Sequence, residues 1–357
     1  MAATTAAIVP LGATGAQAAP AVDGYAPEVA AAAVAAFAEQ GLSPAEAAQR
    51  LASQPARIQL GERLASTLGA RSAGVWLDQA NNTVVVNVLD SAAAATVRAA
   101  GAETRVVQRS QKELESIRDT LAAAKVTDTA VGIDVEANQV VLRVGKNAPA
   151  AGLSGMLDTA GTFGGAVRVE KVNGTFGKLI SGGFPIVNGG VCTLGFSTTF
   201  NTGITAGHCT RAIPAWLDGS TGRFYGPSIH FSFPGNDFGL IRNDGGLPQP
   251  GNVYLWNGAF QDIVTAAWPV QGMAICKSGA TTFLTCGGVL ALGQVVCYPE
   301  GCVGDMAATN VVAAPGDSGG PWFAGPWAFG LTSGGGGGIT FFQPVVEVLA
   351  AYGIWVF

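Results

Sequence analysis

The hexapeptide Gly316-Asp317-Ser318-Gly319-Gly320-Pro321 is the strongest local signal in this 357-residue chain. Glycines beside a serine leave the surrounding backbone N–H groups unobstructed, so that they can stabilise an oxyanion. A serine hydroxyl is a poor nucleophile at neutral pH and needs a neighbouring base to take its proton. The hexapeptide therefore predicts that Ser318 is a nucleophile, provided that a base and an orienting carboxylate occur elsewhere in the chain.

Two upstream segments contain the residues that such a serine requires. They are Thr205-Ala206-Gly207-His208-Cys209, with one of the two histidines of the chain, and Asn236-Asp237-Phe238-Gly239-Leu240-Ile241. Histidine accepts protons near neutral pH, and a buried aspartate can hold the imidazole in the reactive tautomer. Each segment taken singly could also be a turn or part of the core. Together they predict that His208, Asp237 and Ser318 hydrolyse an amide bond.

The composition of the chain changes near residue 180. Residues 1–179 contain 15 Lys and Arg, 16 Asp and Glu and no Cys or His. Residues 180–357 contain 4 Lys and Arg, 8 Asp and Glu, both His, all six Cys and 34 of the 51 Gly. The first part favours Ala-rich helices with exposed charge, and the second favours turns and short strands. We expect a signal-like remnant over residues 1–21, an α+β domain over 22–179 and an all-β domain over 180–357.

The low charge excludes several classes of protein. The formal charge is −5 and no cluster of Lys and Arg is present, which argues against a nucleic-acid partner because nothing would neutralise the phosphates. No apolar run reaches the roughly 18 residues of a membrane-spanning helix.

The cysteines indicate disulfides formed in an oxidising compartment, and therefore secretion to the extracellular space. Ala16-Gln17-Ala18 resembles a signal-peptidase site without the usual basic start, so we expect either a truncated or atypical signal or a disordered Ala-rich tail.

The N-terminal part contains signals for helices and for an internal repeat. Residues 27–40 predict one helix, a capping box at Ser43 starts a second that runs to about Ser53, and Pro55 starts a third over residues 56–68. Two Asn-containing hairpins then follow, each with Ala-rich sequence and a short strand behind it. The predicted hairpin strands lie at residues 73–78 and 83–88, and at 130–135 and 139–144; the short strands lie at 103–107 and 167–172.

We interpret this pattern as two copies of a hairpin–helix–strand unit. An ordinary α+β domain with a coincidental repeat is the alternative. The carboxylates of this part are scattered among basic residues, as on a solvated face, and no cluster of residues looks catalytic. A domain of this kind, placed before a secreted one, suggests a pro-region or a binding partner.

The motifs around the three predicted catalytic residues resemble those of chymotrypsin-fold serine endopeptidases. The chain most resembles the bacterial streptogrisins and alpha-lytic-type proteases, through Ile180-Ser181-Gly182-Gly183, Gly330-Leu331-Thr332-Ser333-Gly334-Gly335 and Thr340-Phe341-Phe342-Gln343-Pro344-Val345. The tandem units in residues 55–175 resemble the pro-domain of that family. The resemblance implies an α+β pro-domain, which assists folding and inhibits the product, followed by an all-β chymotrypsin-like double β-barrel.

Roles for individual residues also follow from the resemblance. Ser318 is the expected nucleophile, His208 the general base and acid, and Asp237 the residue that orients the imidazole. The backbone N–H groups of Gly316 and Ser318 are expected to form the oxyanion hole. The residues expected to pair with the main chain of the substrate are Ser333, Gly334 and Gly335. No metal or other cofactor is implied. The expected partners are protein or peptide substrates and the chain's own pro-domain, and a monomer is the default.

The resemblance further implies an apolar specificity pocket. Val312 is expected at its base, with Ala313 and Pro315 in its wall, and Thr332 stands where acid-specific relatives have a histidine. We therefore expect cleavage after Phe, Tyr, Leu or Met, with a broad preference because one methylene changes binding by only about 1–3 kcal/mol. Related enzymes often have a bridged cysteine at the position of Val312, so this pocket wall lacks a covalent tie.

The cysteines and the junction near residue 180 complete the expectations. The resemblance implies the disulfides Cys192–Cys209 and Cys276–Cys286, which leaves Cys297 to pair with Cys302. Zinc ligation is the alternative, although no Cys-x-x-Cys pair is present.

If the mature chain starts at Ile180, the cut follows Leu179, which an enzyme of this specificity could make itself. Cleavage by another protease is the alternative to self-processing, and a catalytically idle, peptide-binding protein with the protease fold is the alternative to an enzyme.

Overall fold

A computed structural model describes residues 21–38, 41–178 and 184–357 of the chain. The predicted fold class is confirmed: an α+β N-terminal part is followed by a C-terminal part built mainly from two barrel-like β-sheets. Most of the signal-like remnant (residues 1–20) and the predicted cut between Leu179 and Ile180 lie outside the described residues. Within the described ranges, no helix is both long enough and apolar enough to cross a membrane.

Two helices open the N-terminal part, α1 (Pro27–Ala38) and α2 (Pro44–Leu68). The capping box at Ser43 starts α2 as predicted, because the Ser43 hydroxyl accepts a hydrogen bond from the Glu46 N–H and the Glu46 carboxylate accepts one from the Ser43 N–H. The prediction of two helices separated at Pro55 was wrong, since α2 is one 25-residue helix with Pro55 inside it. Proline removes one backbone hydrogen bond, and buried Leu51 and Ile58 on either side of it stabilise the continuous helix.

The structure contains two hairpin–helix–strand units. The first consists of β1 (Ser72–Asp78), β2 (Thr83–Val88), α3 (Ser91–Ala99) and β3 (Glu103–Val106). A helix that the sequence did not predict, α4 (Gln111–Ala122), joins it to the second. The second consists of β4 (Thr129–Asp134), β5 (Gln139–Val144), α5 (Ala150–Thr162) and β6 (Val167–Lys171). In both units the first two strands are antiparallel and the third strand is parallel to the second, because a helix makes the crossover.

The first sheet of the C-terminal part is formed by strands between residues 184 and 242. After β7 (Gly177–Lys178), its elements are β8 (Phe184–Val187), β9 (Val191–Leu194), β10 (Phe196–Thr198), β11 (Thr202–Thr205), α6 (Gly207–Ala212), β12 (Ala215–Asp218), β13 (Phe224–Ser232) and β14 (Phe238–Arg242). Seven of these strands form one sheet in the order β10-β11-β14-β13-β12-β8-β9. This order places β11 and β14, the strands next to His208 and Asp237, side by side.

The second sheet contains strands from both parts of the chain. After the short strands β15 (Asn252–Tyr254), β16 (Phe260–Asp262) and β17 (Thr265–Ala266) come β18 (Ala274–Gly279), β19 (Phe283–Tyr298), β20 (Gly301–Thr309), β21 (Pro321–Ala324), β22 (Trp327–Gly336), β23 (Ile339–Pro344) and α7 (Val345–Tyr352). Its central path runs β18-β21-β22-β23-β20-β19-β4-β5-β6, and β7 and β17 pair with β22. The second unit of the N-terminal part therefore extends the C-terminal sheet through the antiparallel β4–β19 pair.

The hydrophobic core also crosses between the two parts. Val29, Val34 and Phe37 of α1 belong to the same buried cluster as Phe323 and Leu331 of the C-terminal part. Main-chain contact reinforces this packing where the Leu77 N–H donates to the Gln271 carbonyl at 2.9 Å. The C-terminal part thus shares both a β-sheet and a hydrophobic core with the N-terminal part.

Substitution of Gly272 by alanine tests this contact. Gly272 has φ +84° and a Cβ there would overlap the carbonyl oxygen of Leu77. Gly246 is the matched control, because it has φ +60° and no atom within 4 Å of the position of a Cβ. Both substitutions cost the left-handed strain of about 1–2 kcal/mol, and Gly272→Ala should lose about 1–3 kcal/mol more from overpacking.

The measurement is the free energy of unfolding by denaturant, made on the uncut chain with Ser318→Ala as background. Equal losses for Gly272→Ala and Gly246→Ala would show that residues 77 and 272 are not in contact in solution.

Candidate functional site

His208 and Asp237 form a buried hydrogen-bonded pair. His208 lies on α6, and its Nδ1 is 2.8 Å from Asp237 Oδ2 and 3.0 Å from Oδ1. The His208 backbone N–H also donates to Asp237 Oδ1 at 2.9 Å. A side chain at Gly207 would overlap the carbonyl oxygens of Ser232 and Phe238, so glycine allows α6 to pack this closely. The carboxylate therefore fixes both the position and the tautomer of the imidazole, and leaves Nε2 to accept a proton.

Asp237 has no solvent-exposed surface, yet both of its carboxylate oxygens and its backbone N–H have hydrogen-bond partners. Its Oδ2 accepts a hydrogen bond from Ser333 Oγ at 2.6 Å, and its backbone N–H donates to Gln343 Oε1 at 2.9 Å. Burial alone raises the pKa of the Asp237 carboxyl, but His208 and the hydrogen bonds from His208 and Ser333 outweigh it and hold the pKa below its usual value. The sequence predicted Ser333 only as a substrate-binding residue, and it assigned no role to Gln343, which was noted only as part of a family motif.

Ser318 lies in a tight turn beside the segment that leads to His208. The Gly319 N–H donates to the Thr332 carbonyl at 2.7 Å. A side chain on Gly319 would overlap Thr205 Oγ1 and crowd Ala206, so the turn containing Ser318 packs against the residues just before α6. Ser318 Oγ and His208 Nε2 are both buried, and neither has a hydrogen-bond partner among the described residues. The two atoms that would exchange a proton are thus not engaged elsewhere in the described part of the chain.

A buried ion pair holds the turn before Ser318. Asp317 Oδ2 is 3.1 Å from Lys277 Nζ, and both side chains are fully buried. The Ala314 N–H donates to the same carboxylate at 3.0 Å. Burial lowers the pKa of the Lys277 ammonium, and the charge of Asp317 opposes that shift. Sequence reasoning did not identify Lys277, although its position as the single lysine of residues 180–357, inside an apolar strand, was a usable signal.

The predicted substrate-pairing residues contact the chain's own residues. Gly334 and Gly335 on β22 pair antiparallel with Lys178 and Gly177 of β7, respectively. Phe176, which precedes β7, is only 4% exposed and meets the Phe341 ring edge-to-face at 5.5 Å. The end of the N-terminal part therefore occupies the edge of β22 as an added strand.

The predicted base of the specificity pocket needs a correction. Val312 is 65% exposed, so its side chain does not form the base of an enclosed pocket. Its carbonyl oxygen instead accepts a hydrogen bond from Thr285 Oγ1 at 2.9 Å, which fixes the orientation of this backbone segment. Ala313 is half-buried and Pro315 is exposed, whereas Gly316 is buried.

The structure contains three disulfides, in the pairs that the resemblance implies. They are Cys192–Cys209, Cys276–Cys286 and Cys297–Cys302. The ligand atoms of Cys192, Cys209 and His208 lie within 4.8 Å of one another. Both sulfurs belong to a disulfide, however, so this group offers no thiolate to zinc. Cys209 follows His208 directly, and its disulfide ties α6 to β9.

Comparisons with known proteins match both parts of the chain. Residues 45–107 match the family described as alpha-lytic protease pro N-terminal, and residues 109–164 match the alpha-lytic protease prodomain. The chain is 40% identical to "Serine protease 1" of Streptomyces fradiae over 335 residues, which is 89% of this chain and 94% of that protein.

Two further relatives come from Streptomyces griseus. "Streptogrisin-D" is 39% identical over 87% of this chain and 82% of its own length. "Glutamyl endopeptidase 2" is 42% identical over 50% of this chain and its entire length. Since the long matches include both the pro-domain and the region of the site, the chain belongs to the alpha-lytic and streptogrisin family of serine proteases and carries that family's pro-domain.

Proposed function

We propose that this chain is the precursor of a secreted serine endopeptidase in which Ser318, His208 and Asp237 perform the chemistry. In this proposal, residues 180–357 are the protease and residues 22–179 are a pro-domain that assists folding and inhibits the product. The observation that carries the proposal is the buried His208–Asp237 pair together with Ser318, whose turn packs against residues 205–206 and whose Oγ, like His208 Nε2, has no hydrogen-bond partner among the described residues. The three disulfides favour secretion because they form in oxidising compartments.

The reaction follows from these positions. His208 Nε2 takes the proton of Ser318 Oγ as the oxygen attacks the carbonyl carbon of the substrate. The imidazolium then gives this proton to the leaving amine as the C–N bond breaks, and a water molecule repeats the cycle to release the acid. Asp237 remains a carboxylate and stabilises the imidazolium. The N–H groups of Gly316 and Ser318 are assigned to the oxyanion, and neither donates to a backbone carbonyl in the described ranges.

The Lys277–Asp317 pair supports this oxyanion turn from behind. Replacement by Lys277→Met leaves the buried Asp317 charge without a compensating cation, so the unfolding free energy should fall by about 3–5 kcal/mol and peptidase activity should fall with it. Arg242→Met is the control, because it breaks an exposed pair with Asp244 and should change stability little. The measurements are denaturant unfolding and peptide hydrolysis. A folded, fully active Lys277→Met enzyme would contradict this role.

The pairing of β7 (Gly177–Lys178) with β22 favours self-processing after Leu179. Lys178 lies opposite Gly334, and Leu179 follows Lys178 directly in the sequence. This pairing supports Leu179 as the residue before the scissile bond. A segment held in this way acts as substrate before the cut and as an inhibitor after it. Its apolar side chain also agrees with the proposed preference for large apolar residues.

Ser318→Ala should accumulate the uncut chain, because the nucleophile for the cut is absent. Exposed Ser220 is a suitable control residue, and Ser220→Ala should mature as the wild type does. The intact mass of the secreted product shows, for each variant, whether the chain has been cut. Normal maturation of Ser318→Ala would show that another protease makes the cut.

Chymotrypsin-like specificity for Phe, Tyr, Leu or Met is the favoured form of the activity. Thr332 is buried and already committed, since its Oγ1 accepts from Trp322 Nε1 at 2.9 Å and contacts the Gly320 carbonyl at 3.2 Å. The buried Lys277 is neutralised by Asp317. Neither the uncharged Thr332 nor the paired Lys277 therefore offers a free cation to a substrate carboxylate. Glutamyl specificity is the second candidate, favoured by the 42% identity to a glutamyl endopeptidase.

Peptides that differ only in the residue before the scissile bond separate these two candidates. Because an unpaired carboxylate is penalised in an apolar pocket, kcat/KM for Phe or Leu should exceed that for Glu by about 100-fold or more. A preference for Glu would overturn the apolar assignment and leave the serine mechanism intact. Absence of cleavage for every peptide, by a folded and processed chain, would favour an idle peptide-binding protein.

A further inference from the structure

We infer that Gln343 and Glu347 form a positioning pair that fixes the backbone of Asp237 and, through it, the imidazole of His208. This inference rests on the proposed serine mechanism and adds two residues to it. Both residues act through the Asp237 backbone and not on the reacting atoms, so they are positioning residues and not catalytic ones. The Gln343–Glu347 pair also joins the C-terminal helix α7 to the catalytic residues.

The contacts of Gln343 are made entirely inside the protein. Gln343 lies on β23 and has no exposed surface. Its Oε1 accepts a hydrogen bond from the Asp237 N–H at 2.9 Å, and its Nε2 donates to Glu347 Oε2 at 2.6 Å. A longer contact of 3.4 Å joins Nε2 to the Gly304 carbonyl oxygen. One side-chain amide therefore connects three separate segments of the chain.

The acceptors on the Nε2 side determine which way the amide faces. A side-chain amide has one acceptor oxygen and one donor nitrogen. Glu347 and Gly304 both present acceptors to the same end of Gln343, so the nitrogen must lie there and the oxygen must face the Asp237 N–H. In the opposite orientation the amide nitrogen would face the buried Asp237 N–H and the amide oxygen would face the acceptors of Glu347 and Gly304, so these hydrogen bonds would be lost. Glu347 thus selects the productive orientation of the amide.

Glu347 performs this task as a hydrogen-bond acceptor and not through its charge. Burial, together with the nearby Asp305 carboxylate, raises the pKa of Glu347 to about 7, against the effect of the Gln343 hydrogen bond. The carboxyl therefore exists in both protonation states near neutral pH. Either state retains an oxygen that can accept from Gln343, so a neutral residue of the same shape should replace it.

The consequence for catalysis arises because the Asp237 side chain holds His208 at two points. Both the His208 N–H and its Nδ1 contact the Asp237 carboxylate. If the Asp237 backbone shifts, the imidazole shifts with it, and a misplacement of about 1 Å can reduce a rate by about 100-fold. Loss of the acceptor at Glu347 should therefore lower kcat and leave KM nearly unchanged, because the β22 edge that pairs with peptide is not altered.

The test compares three variants of the full precursor, each allowed to mature, with kcat expressed per site that reacts with a fluorophosphonate probe. Glu347→Leu should reduce kcat about 10-fold or more, with KM within 2-fold of wild type. Glu347→Gln should restore at least half of the wild-type kcat, because its amide oxygen can accept from Gln343. Gln249→Leu is the control, since the Gln249 amide contacts Tyr225 and Thr202 and not the catalytic residues, and it should leave kcat unchanged.

A second readout detects misalignment without turnover. The low-field proton resonance of His208 Nδ1–H, which reports its bond to Asp237, should shift or broaden in Glu347→Leu and remain in Glu347→Gln. Glu347→Leu with wild-type kcat and resonance would overturn the inference. Equal loss of kcat in Glu347→Gln and Glu347→Leu would also overturn it, because the acceptor would then not be the requirement. An inactive wild type that the probe does not label would instead overturn the proposed function.

Discussion

The burial of the Asp237 carboxylate is the constraint on which the rest of the site depends. An ionised carboxylate removed from water is destabilised by several kcal/mol unless hydrogen bonds and a nearby cation replace its hydration. Here these partners are His208 on α6 and Ser333 on β22, with Gln343 on β23 holding the main chain. The partners come from both sheets of the C-terminal part. The site therefore exists only when the two sheets are docked, which links catalytic competence to completion of the fold.

This dependence explains why a folding partner is useful. Residues 180–357 contain 34 of the 51 glycines, and each ordered glycine loses more backbone entropy than other residues. The strands also pair over long sequence separations, which slows folding. The N-terminal part supplies β4 beside β19, α1 in the shared core and residues 177–178 along β22. It thus contacts the second sheet at several separate places, and under the proposed function the pairing along β22 would also block the cleft before the cut.

The sequence was informative where function or structure is local. The capping box at Ser43 and the two hairpins depend on neighbouring residues, and short patterns predicted them. The motifs around His208, Asp237 and Ser318 are equally local, and they remain the basis of the proposed mechanism. The failures involve contacts between distant segments. Pro55 was expected to interrupt a helix because the contacts of the neighbouring Gln54 and Ile58 with the C-terminal part are not visible in sequence. Gln343 and Lys277 acquire their importance only from Asp237 and Asp317. The hydrogen bond that Thr285 of β19 donates to the Val312 carbonyl is likewise a contact between distant segments.

The central claim is that Ser318 is the activated nucleophile of a processed enzyme. Its most direct test is reaction of the purified secreted product with a fluorophosphonate probe, followed by intact mass and peptide mapping. The account predicts one adduct per molecule, located on Ser318, in a species whose chain starts near Ile180. A processed, folded and disulfide-bonded product that takes up no probe, or that is labelled at another residue, would contradict it.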